Sequence, residues 1–179
     1  NLLTNNQTPA NVYVDVVRAI SANSNRDIWI GTSGRGLTFV NLNNQIFKTY
    51  NQSNSNISSN RIMSLRQIGD DLWIGFQGGG LDILDKNGEF KSFNTSTKVR
   101  LEANTIWCIF QDSQNNIWLG TRDNGLIKFD KDKGEIEKYT YDNANPNTVS
   151  SNNIRIITEG ANNLLWIGTD DRGLCSLNL

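Results

Sequence analysis

Short apolar runs recur along this chain, and polar, turn-forming stretches separate them. The most regular run contains Trp-Ile-Gly or Trp-Leu-Gly, and its tryptophans are Trp29, Trp73, Trp118 and Trp166. Successive tryptophans are 44, 45 and 48 residues apart. No sustained apolar stripe with helical spacing is present, which argues against helical repeats. A period near 45 residues with several short strands in each repeat is typical of β-propeller blades.

Each repeat predicts four strands. The first is mainly apolar and spans residues 12–20, 62–68, 106–111 and 154–159. The second is the Trp motif, and the third follows a Gly-Leu pair over residues 37–41, 81–85, 126–130 and 174–178. The fourth carries aromatic or apolar residues near period two, which indicates a strand. We therefore predict an all-β fold, a single propeller segment over residues 1–179 with blades at about 11–59, 60–103, 104–151 and 152–179.

The fourth repeat stops after its third strand, so the last blade is expected to lack its outer strand. One interpretation is a fragment or a self-associating half-propeller. The other is that residues near Leu2 and Leu3 supply the missing strand and close a small ring. The short, polar composition of residues 1–6 favours the first. An unclosed array exposes two apolar blade faces, so the expected partners are the rest of a parent propeller or a second copy of the chain.

Two sets of repeated glycines have a backbone explanation. Gly31, Gly75, Gly120 and Gly168 follow each tryptophan, where the missing side chain lets a neighbouring backbone approach closely. Gly36, Gly80, Gly125 and Gly173 end the next loop, where we expect a positive φ. The repeated tryptophans are expected to pack between blades, with ligand stacking as the alternative.

Composition excludes several kinds of chemistry. The net charge is -1 and no basic patch is visible, so no nucleic-acid partner is expected. No apolar run is long enough for a membrane span, so no membrane contact by this segment is expected. Histidine is absent, which rules out a Ser-His-Asp or Cys-His pair within the chain. The two cysteines, Cys108 and Cys175, are expected to be small core residues rather than a disulfide framework or metal site, and no cofactor is predicted.

The repeat closely resembles the two-component regulator propeller repeat. The third copy matches that pattern best, with Asn104-Thr-Ile-Trp-Cys-Ile-Phe-Gln-Asp-Ser-Gln-Asn-Asn-Ile-Trp-Leu-Gly-Thr121 followed by Asn124-Gly-Leu126. The second copy departs most, with a shorter first turn and Phe76 in place of Thr. The resemblance implies the sensor region of a bacterial two-component or hybrid histidine kinase, on the periplasmic or extracellular face of a membrane protein. It also implies carbohydrate-derived ligands.

The loops between the second and third strands are the predicted binding surface. They differ between repeats while the glycines that frame them do not, and such variation on a fixed scaffold is expected of a binding surface. The candidate ligand-binding residues in these loops are Arg35, Gln77, Arg122, Asp123, Asn124, Asp170 and Arg172. Arginine can bind carboxylates or sulfates with two hydrogen bonds. For each residue, a solvated loop is the alternative.

Trp107 is the remaining candidate, because it lies outside the repeated Trp position on a predicted innermost strand. The other repeats place Val14 or Val16, Met63 and Arg155 nearby. Its ring could stack on a sugar near the central channel or fill the core. Asp123, Asp170 and Asp171 are acidic residues after the Trp motif, but the sequence does not set the carboxyl separation that a glycosidase needs.

These observations predict a non-catalytic sensor segment that recognises an oligosaccharide or related ligand. A structural module that self-associates through its blade faces is the alternative hypothesis. A polysaccharide-cleaving enzyme is the third.

Overall fold

The computed structural model describes residues 15–23, 27–41, 43–44 and 46–179. Within these ranges the chain is almost entirely β-structure, with fifteen strands and one short 3-10 turn, Ala161–Asn163. No helix in the described ranges has the length and apolar composition needed to cross a bilayer.

The strands form four antiparallel sheets, each in chain order. Blade 1 contains β1 (Val17–Ala22), β2 (Asp27–Thr32), β3 (Leu37–Asn41) and β4 (Ile46–Tyr50). Blade 2 contains β5 (Ile62–Ile68), β6 (Asp71–Phe76), β7 (Leu81–Leu84) and β8 (Phe90–Phe93). Blade 3 contains β9 (Ile106–Gln111), β10 (Ile117–Thr121), β11 (Leu126–Asp130) and β12 (Gly134–Tyr139). Blade 4 contains β13 (Ile154–Glu159), β14 (Leu164–Thr169) and β15 (Leu174–Asn178).

The first strand of each blade is its innermost one. These inner strands pack in series, β1 on β5, β5 on β9 and β9 on β13. Sheets that follow one another around their first strands define a β-propeller, so the predicted fold is confirmed. The fourth sheet has only three strands, which confirms the predicted loss of its outer strand. The suggested contribution of Leu2 and Leu3 lies outside the described residues.

A β-bulge interrupts the inner strand of every blade at the same place. In blade 1, Val17 pairs with Thr32 and the next pair is Ala19 with Gly31, so Arg18 is skipped. The corresponding skipped residues in the other blades are Met63, Trp107 and Arg155. A bulge leaves one residue unpaired and turns its side chain away from the regular alternation.

The strand pairing of blade 1 bears on two sequence predictions. The predicted inner strand spanned residues 12–20, of which residues 12–14 lie outside the described residues, and β1 is Val17–Ala22. The residue equivalent to Trp107 is Arg18, and not Val14 or Val16. Val14 itself lies outside the described residues, and Val16 precedes the strand. Arg18 lies as far before Trp29 as Trp107 and Arg155 lie before Trp118 and Trp166, and an alignment on apolar residues alone passed over it.

Apolar residues from facing blades form a separate core cluster at each of the three junctions. Between blades 2 and 3, for example, Trp73 and Phe93 meet Phe129 edge to face, with ring centroids 6.2 and 5.2 Å apart. The repeated tryptophans therefore pack between blades, as predicted, wherever a following blade is present. No blade in the described residues covers Trp166, which is exposed.

The positive φ is confirmed at all four loop glycines, and the close approach of a neighbouring backbone is confirmed at Gly75 and Gly120. A Cβ on Gly75 would lie 2.8 Å from the carbonyl oxygen of Ile106 in the next blade, so only glycine allows this approach. Gly36 has a φ of 85°, and a side chain there would also overlap the backbone of Tyr50 on the outer strand. Gly173 also has a positive φ, but no atom lies within 4 Å of an added Cβ, because blade 4 lacks that outer strand.

Asp112 organises the turn between β9 and β10. Its carboxylate accepts hydrogen bonds from the backbone amides of Gln114 and Asn116, at 3.0 and 2.8 Å, and from the indole of Trp118 at 2.8 Å. Burial alone would raise the pKa of Asp112, but the bonds from Trp118, Asn116 and Gln114 outweigh it, so the pKa lies below its ordinary value. The turn thus depends on an ionised carboxylate.

Replacing Asp112 by asparagine is expected to destabilise the protein by about 1–3 kcal/mol at neutral pH, because an amide nitrogen would then face hydrogen-bond donors. A carboxylate whose pKa is lowered by folding stabilises the native state above its unfolded pKa, near 4, and loses that contribution as the pH falls through the folded value. The difference between wild type and Asp112→Asn should therefore shrink below about pH 4. Urea unfolding at a series of pH values measures it, and a difference independent of pH would contradict this account.

The two cysteines are free thiols that pack against the core between blades 3 and 4. Burial raises the pKa of Cys108 to about 12, which keeps its sulfur protonated and unreactive. Their placement matches the predicted role as small core residues.

Candidate functional site

Two residues from each blade lie close together where the inner strand begins. We call the surface that they form the rim. One is the bulge residue of the inner strand, and the other is the first residue of the loop between the second and third strands. The bulge residues are Arg18, Met63, Trp107 and Arg155, and the loop residues are Ser33, Gln77, Arg122 and Asp170. The rim therefore combines charged, amide, hydroxyl, thioether and aromatic groups on one repeated frame.

The backbone holds the loop position in the same way in every blade. The amide of each loop residue donates to a carbonyl just before the inner strand of its own blade, at 2.9–3.1 Å. In blade 4, for example, Asp170 donates to Asn153 at 2.9 Å, and in blade 3 Arg122 donates to Thr105 at 3.1 Å. Since this bond involves only main-chain atoms, the side chain at the loop position can vary without disturbing the frame.

Arg155 links the rims of blades 3 and 4. Its Nε donates to the carboxylate of Asp170 at 2.7 Å, and its guanidinium carbon lies 3.6 Å from the centroid of the Trp107 ring. The hydrogen bond from Arg155 lowers the pKa of Asp170, and the charges of Arg155 and Arg122 act in the same direction. Trp107 is half-buried, and the guanidinium of Arg155 covers one face of its ring.

Arg122 and Asp123 extend this group around the loop of blade 3. The Arg122 side chain lies 3.5 Å from the Asp123 carboxylate, and the Asp123 amide donates to the Asn153 side chain of blade 4 at 3.1 Å. Four of the predicted site residues, Trp107, Arg122, Asp123 and Asp170, therefore lie in one cluster. Planar polar groups beside an aromatic ring can bind hydroxyl and carboxylate groups of a ligand.

Blade 1 repeats the arrangement with different side chains. Arg18 donates from its Nε to the hydroxyl of Ser33 at 2.8 Å. The carboxylate of Asp15 accepts the backbone amides of Gly34 and Arg35 at 2.7 and 2.9 Å, which fixes the loop. In blade 2, Gln77 occupies the loop position, and Met63 is its bulge partner.

The other predicted residues make contacts outside the rim or are exposed. Arg172 places its guanidinium 4.1 Å from the ring of Tyr141, in the linker that follows blade 3. Asn124 contacts the Lys138 ammonium of the outer strand β12 at 3.4 Å. Arg35 is exposed at the same loop position as these two. Arg35, Asn124 and Arg172 thus form an outer set, separate from the rim cluster.

Sequence reasoning missed Arg18 and Arg155 as site residues. Each bonds to the loop residue fifteen positions later in its own blade. A search for polar pairs at that offset, measured from each Trp motif, would have found them. The apolar pattern hid them, because both lie inside strands predicted to be mainly apolar.

A second concavity opens at the opposite end of the sheets, between blades 1 and 2. It encloses about 480 Å³, and its aromatic wall is formed by Trp29, Phe39 and Tyr50. Lys48 and Asp70 lie at its edge. We call it the lower cleft. No group of three or more cysteine or acidic side chains in the described ranges has an arrangement suited to a metal ion.

The sheets, their series packing and the rim define this protein as a β-propeller segment. The sequence profile of the two component regulator propeller family matches residues 100–123. That stretch includes β9, β10 and the start of the rim loop of blade 3. The predicted resemblance is thus confirmed for residues 100–123 of the third repeat.

Solved structures with the same fold include three of different origin. The extracellular domain of BT4673 from B. thetaiotaomicron, described as a one component system, is 20% identical over 90% of this chain, with a TM-score of 0.54. Virginiamycin B lyase from Staphylococcus aureus is 17% identical over 91%, with a TM-score of 0.62. The computationally designed Ika4 protein is 12% identical over 93%, with a TM-score of 0.65.

At these identities the likeness shows the fold alone. This chain spans 27% of the BT4673 domain, 55% of the lyase and 93% of Ika4. It therefore covers about a quarter and about half of the two natural proteins. No curated protein sequence matches the chain.

Proposed function

We propose that this chain is the ligand-binding segment of a bacterial sensory protein and that its rim binds a carbohydrate outside the cytoplasm. The family match at residues 100–123 supports a regulatory propeller. The BT4673 domain, which has the same fold, is described as extracellular and as part of a signalling system. Both findings favour a sensory segment over other uses of the propeller fold.

The observation that carries the proposal is the rim cluster of blades 3 and 4. Arg122, Asp170 and Arg155 offer planar hydrogen-bonding groups beside the indole of Trp107. Sugars present hydroxyls around a ring with an apolar face, so paired polar side chains next to an aromatic ring are suited to them. A uronic acid would gain further charge-assisted bonds from the arginines.

The same cluster favours binding over catalysis. Asp170 is held ionised by Arg155, and its pKa is lowered rather than raised. A general acid in glycoside hydrolysis needs a raised pKa. Asp171 instead accepts a hydrogen bond from Ser151 at 2.5 Å. One structure with this fold is a lyase, so enzymatic propellers exist, but neither carboxylate here has the raised pKa or the free geometry of a general acid.

Titration calorimetry of the chain against neutral and uronic-acid oligosaccharides tests the proposal. Binding is expected for at least one sugar, and Arg122→Ala and Asp170→Asn should each weaken it about tenfold, which corresponds to about 1.4 kcal/mol. Arg100→Ala is the matched control, because Arg100 lies in the linker between β8 and β9 and pairs with Glu102. Its affinity should stay within about twofold of wild type.

Two results would contradict the proposal. Absence of heat with every sugar would argue against direct carbohydrate sensing by this segment. Binding that survives Arg122→Ala and Asp170→Asn, but is lost in Asp70→Ala, would place the ligand in the lower cleft instead of the rim.

A further inference from the structure

The three internal junctions between blades share one construction, with which the free faces of blades 1 and 4 can be compared. The preceding blade contributes a leucine that is fully buried, and these leucines are Leu37, Leu81 and Leu126. The following blade contributes a fully buried isoleucine at the start of its inner strand, and these are Ile62, Ile106 and Ile154. Each isoleucine lies against the glycine that follows the tryptophan of the preceding blade. We call the surface that contributes the leucine the leading face and the surface that contributes the isoleucine the receiving face. Both have the same composition at every junction.

A main-chain hydrogen bond crosses each junction at the same place. The amide of Gly80 donates to the carbonyl of Asn104 at 3.0 Å, and that of Gly125 donates to Asn152 at 2.9 Å. Gly36 and Asn60 make the same bond between blades 1 and 2. The equivalent amide, that of Gly173, makes no such bond to any residue that the structure describes.

Blade 4 presents a complete leading face that nothing in the described chain covers. Leu174 is equivalent to the three buried leucines, but 62% of it is exposed. Trp166 and Ile156 of the same face are exposed as well. This face therefore has the composition of a junction and lacks the following blade.

Blade 1 presents the matching receiving face. Val17 stands where the other inner strands have their fully buried isoleucine, and 45% of it is exposed. Ile20 of the same face is equivalent to the buried Ile109 and Ile157, and it is also exposed. The chain thus carries one unpaired face of each kind.

Side-chain volumes indicate that the two free faces fit each other. At one position of the leading face, blades 1 to 3 have the small residues Ala19, Ser64 and Cys108, whereas blade 4 has the larger Ile156. The receiving face of blade 1 has Val17 where the others have isoleucine, and so offers one methylene more room. A larger residue on one face opposite a smaller one on the other is the pattern of matched packing.

We propose that the leading face of blade 4 binds the receiving face of blade 1 in a second copy of this chain, with the register of the internal junctions. Two such contacts, related by a two-fold axis, close a ring of two copies. In each contact Gly168 lies against Val17 of the second copy, Leu174 becomes buried, and the Gly173 amide donates to the Asp15 carbonyl of the second copy. This assembly does not depend on the proposed ligand.

Light scattering and sedimentation velocity of the chain at micromolar concentrations test the proposal. Wild type should be a dimer. Ile20→Glu, on the receiving face, and Leu174→Lys, on the leading face, should each be monomeric. Ile136→Glu is the control, because Ile136 is an exposed apolar residue on the outer strand β12 and belongs to neither face. It should remain dimeric.

Mixing the two monomeric variants gives the sharpest result. The mixture has one intact leading face and one intact receiving face, so it should form a heterodimer through a single junction. A monomeric wild type overturns the proposal, and so does a series of larger species without a defined dimer. A dimer that survives one of the two face variants indicates pairing of like faces and also overturns it.

Folding of the variants is checked by circular dichroism, which should not change, since both side chains are exposed in one copy. If Ile20→Glu fails to fold, Val17→Glu tests the same face. If Leu174→Lys fails to fold, Ile156→Lys replaces it.

Discussion

Replacing Trp118 by alanine is expected to destabilise the chain by about 3–5 kcal/mol, the range for a large aromatic residue removed from a core. Only 1% of Trp118 is exposed, and it lies in the cluster between blades 3 and 4. The substitution would leave a cavity and also remove the indole that donates to Asp112 at 2.8 Å. Urea unfolding followed by fluorescence or circular dichroism measures the change.

Trp166→Ala is the matched control for this experiment. It is the same residue at the same repeat position, but 39% of it is exposed and no following blade covers it. We expect its cost to stay well below that of Trp118→Ala when both are measured at a concentration where the chain is monomeric. Equal losses for the two variants would show that the tryptophan acts within its own sheet and not at the junction.

Placing a methyl group on Gly75 is the second substitution with a large expected effect. The new Cβ of Gly75→Ala would overlap the Ser64 hydroxyl of its own blade, which can rotate away, and would lie 2.8 Å from the carbonyl oxygen and 2.9 Å from the Cβ of Ile106 in the next blade. The two Ile106 atoms belong to the backbone frame of β9, so blades 2 and 3 would have to move apart. We expect a loss of about 3 kcal/mol, at the upper end of what overpacking costs, as measured by urea unfolding.

Gly168→Ala provides the comparison, because it is the same position in blade 4. Its new Cβ would approach a methyl group of Ile156, 2.6 Å away, on an exposed side chain that can rotate. The stability of a single copy should therefore fall much less than in Gly75→Ala. A similar loss in both variants would show that the glycine is required by its own strand and not by the neighbouring blade.

The sequence predicted the features that repeat. Each Trp motif and each glycine with positive φ recurs at a fixed offset, so four copies support these assignments, and the same repeat frame showed that the fourth copy lacks its outer strand. The bulge was missed because it changes the register without changing the residue types around it. Arg18 and Arg155 therefore lay in strands whose apolar alternation gave no sign of a polar residue at the rim.

The sequence predicted that an unclosed array exposes two apolar faces, but the local pattern around a residue does not tell a buried copy from an exposed one. Leu174 follows the same Gly-Leu pattern as Leu81 and Leu126, yet it is exposed while they are fully buried. The difference arises from whether another blade follows, which is a property of the array and not of the local sequence. In the same way, the predicted loop residues divided into an inner and an outer set only once their contacts were known.

The bulge on each inner strand separates the side chains of the rim from the pairing that holds the sheet. Its side chain is outside the pairing that holds the sheet, and the main chain of the neighbouring loop residue makes the same anchoring bond in every blade, whatever its side chain is. Exchanging the residues at these positions should therefore alter what the surface binds while leaving the melting temperature nearly unchanged. In a propeller built this way, single substitutions at these positions can change the surface without changing the sheets. The same positions are therefore suitable for randomisation in the directed evolution of new binding surfaces.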